Sequence, residues 1–520
     1  MQPKPPPPTS SLLDDYYFQR LIPADDPLLK INARTDWSFV YEEVGSLYRP
    51  GPGQPPLDPV RMLKLCFLQS YCNLTDREVV RRARTDLLFR VFLGLDVEDD
   101  VPHPTSLTVF RKRLGEAVFK RLFNRLVGQA VAEGLVTNEL ALVDSYGFEA
   151  DVRIPRFRKL LARVITQALT VLEQGGTDVT ALRAEAAALQ EDTSWRLSKD
   201  LAKRTEEQWV ALAGLVHQHL ECLAPGAARR DEVLDLLAAA LERKERKGQG
   251  GYLVSDIDPD ARWKRKKHGR RAFAGYVENL VADADSGLIT AVTVAPGNQD
   301  DSEAFAELVH EHEANVGAMP QGVVADSGYH SGANRDLLAG QSEDHIAVPT
   351  PKGHKQGKFA TCDFVIEYGD GGQPLRAQCP NGQWAEQPKW KHQTHSWVFY
   401  FGKGQCAGCP LRERCSKQSR GRSLSISIHH RTHEAARARQ ATPQGQQRQI
   451  ERLEVEHLFA LQQRRHGLKR ARHRGRARVA AHVYMTCLAM NLVRRCVLLE
   501  DPDQVKRKPE KRRTQSLDTR

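Results

Sequence analysis

Apolar positions in the first 140 residues recur at helical spacing, and each group follows a polar cap. Asp58 stands before Pro59 and a run of apolar residues, as an N-cap stands before a proline at the first helical position. Thr75 and Glu78 have the spacing of a capping box. Residues 104–106 (Pro-Thr-Ser) look like a third cap. We predict short helices here, and their spacing is compatible with a helix-turn-helix, although most such stretches are simply helical domains.

The rest of the chain mixes short apolar runs with longer helical patterns. A stretch over 156–250 has helical Leu and Ala spacing and predicts a helical insertion. The apolar runs predict five strands, at 139–145, 274–283, 288–294, 322–325 and 345–349. Helices are predicted at 302–316 and, as long helices, at 447–495. Without the insertions, this is the element order of an RNase H-like fold. We therefore expect an α/β protein with an RNase H-like mixed sheet, an all-α N-terminal domain, a helical insertion and a Cys-containing insertion.

Charge adds a candidate partner to this picture. The chain has 520 residues and a formal net charge of +11, and residues 461–480 hold eight Lys and Arg residues but no acidic residue. Such a block suits the phosphates of DNA. The predicted DNA contacts lie in three basic groups: Arg111, Lys112 and Arg113; Lys264 and Arg265; and Lys469, Arg470, Arg472 and Arg474. No apolar run is long enough to predict a membrane span, and the Pro-rich start does not resemble a signal peptide.

Three acidic residues stand out by their placement. Asp144 ends the first predicted strand, Asp326 ends the fourth, and Glu456 lies on a late helix. An RNase H-like fold places strands one and four side by side and lays the last helix against them. An isolated Asp is more often a turn former or a helix cap, but the joint placement predicts that the three carboxylates converge. Glu454 and Glu451 are the next candidates for the third position.

Four of the ten cysteines form a second candidate site. Cys379 is followed by Cys406, Cys409 and Cys415 in a Gly-rich stretch with little apolar sequence. Four thiolates that include one CxxC pair suit a structural, tetrahedral Zn²⁺ ion, with Cys362 as a spare ligand. The alternative is four unligated thiols, because the spacing is irregular.

Several motifs together resemble a known family. Residues 21–25 (LIPAD), 53–59 (GQPPLDP) and 92–95 (FLGL) lie in the N-terminal part of the chain. Further along, the motifs are 258–262 (DPDAR), 275–276 (GY), 325–329 (ADSGY), Arg452 and Glu456 with three residues between them, 474–475 (RG) and 491–494 (NLVR). Over about residues 20–500 the chain resembles the DDE-type bacterial insertion-sequence transposases that carry an N-terminal helical domain of unknown function. It departs from the related signature Tyr-x2-Arg-x3-Glu-x6-Lys at Gln449 and Gln463, where Arg464 or Lys469 is the candidate for the missing charge.

The resemblance implies a function. The chain would cleave DNA at the ends of its mobile element and join the 3′-OH ends to target DNA by metal-dependent phosphoryl transfer. Asp144, Asp326 and Glu456 would hold two Mg²⁺ or Mn²⁺ ions, while Arg452 would hold a phosphate or orient Glu456. The implied partners are double-stranded DNA, the terminal inverted repeats and target DNA, bound by a homodimer in the bacterial cytoplasm at the nucleoid. The alternatives are a nuclease of the same fold and a non-catalytic DNA-binding protein.

These inferences together divide the chain into parts. The expected parts are a flexible leader (1–20), a helical DNA-binding domain (21–138), a catalytic domain (139–350 with 430–500) that contains the helical insertion (156–250), a Cys-rich insertion (351–429) and a basic disordered tail (501–520).

Overall fold

The computed structural model describes residues 12–48, 56–192, 198–245, 251–264, 272–416 and 420–505. Seven helices form the N-terminal part: α1 (Leu12–Leu21), α2 (Pro27–Arg34), α3 (Phe39–Val44), α4 (Pro59–Tyr71), α5 (Asp76–Thr85), α6 (Leu87–Leu93) and α7 (Pro104–Ala132). Two expected caps are confirmed. The Asp58 carboxylate accepts hydrogen bonds from the first turn of α4, and Thr75 forms a capping box with Glu78. The third is wrong by one residue, because Pro104 takes the first helical position and makes His103 the N-cap.

A mixed sheet lies at the centre of the chain. Its strands are β1 (Leu140–Glu149), β2 (Arg262–Lys264), β3 (Phe273–Asp283), β4 (Ile289–Pro296), β5 (Gly322–Ala325) and β6 (Glu343–Ile346). Apart from the short strand β2, the strands lie in the order β4-β3-β1-β5-β6. Strand β3 runs antiparallel to β1, whereas β5 runs parallel to both of its neighbours, β1 and β6. This is the predicted RNase H-like arrangement. The fifth predicted strand is shifted from 345–349 to 343–346, because β6 pairs with a β5 that ends at Ala325.

Helices cover the sheet and extend away from it. The helical insertion consists of α8 (Phe157–Gln174), α9 (Thr180–Glu191), α10 (Lys199–Cys222) and α11 (Arg230–Glu245), and these helices share a hydrophobic core of their own. α12 (Asp301–Val316) and α13 (Gly332–Leu338) pack near β4, β5 and β6.

The part of the chain that holds five of the ten cysteines is built from short elements. They are α14 (Lys352–Lys355), β7 (Val365–Tyr368), β8 (Pro374–Gln378), β9 (Trp384–Glu386), β10 (Lys389–Lys391), β11 (Ser396–Phe401), α15 (Lys403–Cys406), α16 (Arg412–Cys415) and β12 (Arg422–Ser427). Two three-stranded antiparallel sheets, β7-β8-β9 and β10-β11-β12, enclose a small core around Phe364, Phe399 and Phe401.

Four helices complete the fold: α17 (His430–Ala441), α18 (Pro443–Glu451), α19 (Glu454–Arg465) and α20 (Arg476–Glu500). The prediction of long helices over 447–495 is wrong at residues 466–475, which form a loop bounded by Gly467 and Gly475, both with positive φ. A Cβ on Gly467 would meet the Asn73 side chain at 2.3 Å, so glycine is required there. Buried α20 packs against α4, α7 and β4 and joins the N-terminal helices to the sheet in one core.

The helices were also compared with the length and polarity that a membrane span needs. Among the described residues, none combines sufficient length with sufficient apolar character.

Candidate catalytic site

Asp144 and Asp326 lie at the same edge of the sheet because their strands are parallel neighbours. The last register pair of β1 and β5 is Val143 with Ala325, so each aspartate is the next residue of its chain. The four β1 residues before Asp144 are buried apolar side chains, and Asp144 itself is 9% exposed. The pairing thus brings together two carboxylates that are far apart in sequence.

The chain turns sharply after Asp326, and this turn orients the carboxylate. Asp326 Oδ1 accepts a hydrogen bond from the Gly328 N–H at 2.7 Å. A Cβ on Gly328 would come within 2.8 Å of Asp326 Oδ1 and 3.0 Å of Asp301 Oδ2, so only glycine fits without a shift. Tyr329 is fully buried, and its hydroxyl donates to Asn279 on β3 at 3.0 Å.

α19 positions the third carboxylate against β1. Phe459 is buried, and its ring lies 5.6 Å from that of Tyr146, two residues beyond Asp144 on β1. Gln462 is buried one turn later and donates to Glu278 Oε1 on β3 at 2.8 Å. The Glu456 side chain, by contrast, is 62% exposed. The packing of α19 therefore holds its backbone and leaves this carboxylate free to reach a ligand.

Arg452 links two of the three acids. Its guanidinium is ion-paired with the Asp144 carboxylate, and its Nη2 lies 3.9 Å from Glu456 Oε1. The Arg452 side chain is 16% exposed, and its Nε has no hydrogen-bond partner among the described residues. The sequence-predicted group of Asp144, Asp326, Arg452 and Glu456 thus lies together at one edge of the sheet.

Burial and neighbouring charge raise the pKa of Asp144 to about 6. Desolvation is the largest cause; the Arg452 guanidinium and the Ser145 N–H lower the pKa, while Asp326 and Glu456 raise it. This repulsion among carboxylates is what a bound divalent cation would relieve. Carboxylate oxygens also suit Mg²⁺ and Mn²⁺, which prefer hard oxygen ligands. The donor set therefore fits the metal that the sequence predicts.

Sequence reasoning missed a fourth acid beside the site. Asp301 begins α12; one of its carboxylate oxygens lies near Gly328, and the other is 3.3 Å from Lys264 Nζ. The paired acids Asp300 and Asp301 before a helical pattern were the available signal, but an acid at a helix start is ordinarily a cap. Lys264, predicted as a DNA contact, thus lies in an ion pair near the carboxylates. Arg265, predicted with it, lies outside the described residues.

The predicted contacts of the N-terminal helices differ in their surroundings. Arg111 is 13% exposed, ion-paired with Asp76 and hydrogen-bonded to Gln69, so it joins helices to one another. Lys112 and Arg113 are exposed, and the Arg113 guanidinium lies 4.7 Å from the centre of the Tyr48 ring.

The predicted contacts near the C-terminus lie on the loop 466–475 and not on helices. Arg472 points inward, donating to the Leu74 carbonyl at 2.6 Å and to Asn73. Lys469 is exposed, and Arg470 and Arg474 both pair with Asp151 at 3.3 Å. Four similar side chains of one basic stretch thus have three kinds of environment.

The four predicted zinc ligands line one small cavity. Cys379, Cys406, Cys409 and Cys415 all border it. Burial raises the pKa of Cys415; the Arg422 guanidinium lowers it and the other three thiols raise it, so the net shift is upward. Their sulfurs are more widely spaced than in a closed tetrahedral site: among the described residues, the one group of three donors within 4.8 Å is His354, Cys362 and Asp363. Cys362, the predicted spare ligand, is therefore placed with a different set.

Two family matches cover separate parts of the chain. Residues 16–113 match the family described as Transposase domain (DUF772), and residues 378–496 match the family described as Transposase DDE domain. The second match includes Arg452 and Glu456, whereas Asp144 and Asp326 lie between the two matched segments. No curated protein and no solved structure matches the chain.

Proposed function

We propose that this DDE-type insertion-sequence transposase, an assignment that the two family matches support, cleaves DNA at the ends of its element and joins the freed ends to target DNA. The observation that carries the proposal is the meeting of Asp144, Asp326 and Glu456 around Arg452. Each residue comes from a different part of the fold: Asp144 from β1, Asp326 from the turn after β5 and Glu456 from α19. A polar cluster of this kind is costly to the fold unless a ligand uses it.

The proposed reaction has two steps, and each step forms one phosphorus–oxygen bond and breaks another. Water attacks a phosphodiester at the element's end, the bond from phosphorus to the 3′ oxygen breaks, and a 3′-OH is released. That 3′-OH then attacks a phosphodiester of target DNA, so one phosphorus–oxygen bond forms as another breaks. Two Mg²⁺ or Mn²⁺ ions held by Asp144, Asp326 and Glu456 would supply an activated nucleophile and stabilisation of the leaving oxygen.

The protein's own groups prepare the site for this chemistry. Arg452 holds Asp144 in its charged form and in one orientation, because its guanidinium pairs with that carboxylate. Its Nη2 lies beside the exposed Glu456 carboxylate and is placed to donate to a phosphate oxygen as well. Glu456 is exposed beside it and would contribute its carboxylate to the metal from the side of α19. The hydrogen bond from the Gly328 N–H orients the Asp326 carboxylate.

DNA binding is divided in this proposal between two surfaces. Lys112 and Arg113 are exposed on α7 and suit contacts to the terminal repeat. Lys469, Arg470 and Arg474 suit backbone phosphates of any sequence. The active species is proposed to be a homodimer on DNA in the bacterial cytoplasm, which the mass of the protein–DNA complex in light scattering tests.

A strand-transfer assay tests the function directly. A duplex that ends in the inverted repeat flanking the gene, pre-cleaved to expose its 3′-OH, is incubated with a supercoiled plasmid and Mg²⁺. We expect the wild-type protein to join the duplex to the plasmid and Asp326→Asn to lose this activity. Asp370→Asn, an exposed acid in the turn before β8, is the matched control and should retain it.

The same assay separates the alternatives. Cleavage of an uncut end without any joining would identify a nuclease of the same fold. Binding without either reaction, in both Mg²⁺ and Mn²⁺, would identify a non-catalytic DNA-binding protein and overturn the proposal.

A further inference from the structure

A second polar site lies at the far end of β1, away from the carboxylates. It is an open cleft of about 680 Å³ between the helical insertion and the loop 466–475. α8 and α9 form one wall, the loop forms another, and residues 151–153, which follow β1, join them. The cleft thus exists only because the insertion and the loop meet at the end of the catalytic strand.

Positive charge predominates in this cleft. Four arginines border it, namely Arg153, Arg163, Arg470 and Arg474, against the two acids Asp151 and Asp256. Arg163 forms an ion pair with nearly buried Asp256 at 3.2 Å. Asp151 forms ion pairs with both arginines of the loop, Arg470 and Arg474. The Arg153 side chain is exposed and has no ion-pair partner among the described residues. Two positive charges therefore remain unbalanced.

The cationic groups are available to a large partner. The side chains of Arg163, Arg470 and Arg474 are 40%, 55% and 46% exposed. They come from separate segments of the chain and border an open cleft, not a closed pocket. This arrangement suits several phosphates along a backbone better than one enclosed anion. Guanidinium groups are the side chains best matched to phosphate oxygens.

The loop is attached to the strand that carries Asp144. The Glu149 N–H donates to the Lys469 carbonyl at 3.3 Å, and the Ala471 N–H donates to the Glu149 carbonyl at 2.7 Å. Asp151 is seven positions after Asp144, and at the rise of a strand this spans roughly 20 Å. A duplex in the catalytic site would extend over this distance within about six base pairs.

We propose that this cleft binds backbone phosphates of duplex DNA roughly 20 Å from the reacting phosphate, so that the helical insertion is a DNA-binding arm. The inference rests on the proposed function for the identity of the substrate. It gives the insertion a role beyond packing and assigns Arg153 and Arg163 to substrate binding.

The test is a salt titration of binding that requires no catalysis. The full chain is bound to a random-sequence 40-bp duplex without divalent metal, and log K is plotted against log salt concentration. Arg153→Gln with Arg163→Gln should reduce the slope by about two units, since each lost phosphate contact removes about 0.9. Arg183→Gln with Arg204→Gln is the matched control, because both arginines are on the insertion but do not border the cleft.

The outcomes separate this inference from the proposed function. A reduced slope for the cleft variant alone supports the cleft, whether or not the wild-type protein cleaves DNA. An unchanged slope with the same melting temperature, or an equal change in the control, overturns it and leaves the carboxylate site untouched. If the cleft variant melts earlier, Arg153→Gln alone, on a side chain without a partner, repeats the test with an expected change of about one unit.

Discussion

The carboxylate edge and the cysteine cavity both gather metal-binding residues from separate positions, but they differ in what holds those residues. Asp144 is buried, paired with Arg452 and hydrogen-bonded to the next N–H, and the turn after Asp326 is shaped around its carboxylate. The four thiols instead border a cavity in a part of the chain with seven buried apolar residues in its core.

This difference has a physical meaning for each site. Where the scaffold already orients the ligands, metal adds chemistry to a fold that exists without it. Where the core is small, the metal itself supplies folding free energy, because the ligands are not held in place beforehand. Loss of metal should therefore remove activity at the first site and structure at the second.

The largest expected effect comes from the carboxylates. Asp144→Asn, Asp326→Asn and Glu456→Gln should each reduce DNA cleavage by about 10³-fold or more, since each removes charge from the reacting centre, with little change in DNA affinity. Asp301→Asn should cost only about 10- to 100-fold, because this acid lies beside the site and acts through its neighbours. Single-turnover cleavage and binding assays measure both. Wild-type cleavage by any of the first three variants removes that residue from the site.

The second prediction concerns zinc. Freshly prepared reduced protein should contain about one zinc per chain, and Cys409→Ser or Cys415→Ser should lose it and expose residues 351–429 to proteolysis. Cys222→Ser, on an exposed thiol of α10, should change neither property. Metal analysis by mass spectrometry decides the matter.

The zinc experiment also has an outcome that reassigns the site. Zinc retained in both cysteine variants but lost in His354→Ala would place it with Cys362 and Asp363. No zinc in any preparation would leave four unligated thiols.

A third prediction concerns the support beneath α19. Glu278 is fully buried under Gln462 and Cys487, and burial raises its pKa to about 7. The folded state therefore favours the protonated form of Glu278. The stability that this protonated side chain contributes is fully present below about pH 4.5 and is lost as pH rises through 7. Glu278→Gln should remove this loss, because an amide does not ionise. The free energy of unfolding of the variant relative to the wild type should therefore be about 3 kcal/mol higher at pH 8 than at pH 4.5. Denaturant unfolding at both values checks it; an equal effect at both would contradict it.

The smallest effect is the pH dependence of the chemistry. Because burial raises the pKa of Asp144 to about 6, this group must lose a proton before it can hold a cation. At low metal concentration, cleavage should fall about tenfold per unit below pH 6, and saturating metal should move the midpoint downward. A midpoint independent of metal concentration would assign the titration to another group. Zinc content should not follow this curve.

Much of the catalytic framework could be predicted from the sequence. Strands appear as short apolar runs, and the order of strands and helices identifies an RNase H-like sheet, because few topologies satisfy that order. Asp58, Thr75 and Glu78 could be assigned as caps because capping is local. Asp144 and Asp326 could be selected because parallel neighbours end at one edge, so position in the strand order determines position in space.

Only the tertiary structure decided which charged side chains face outward. Arg111 and Arg472 resemble Lys112 and Lys469 in sequence, yet the first two donate hydrogen bonds within the fold and the last two remain exposed. The pairing of Lys264 with Asp301 and the meeting of Arg153 with Arg470 likewise join distant segments. Charge patterns report composition along the chain, whereas burial and ion pairing depend on neighbours that only the folded chain supplies.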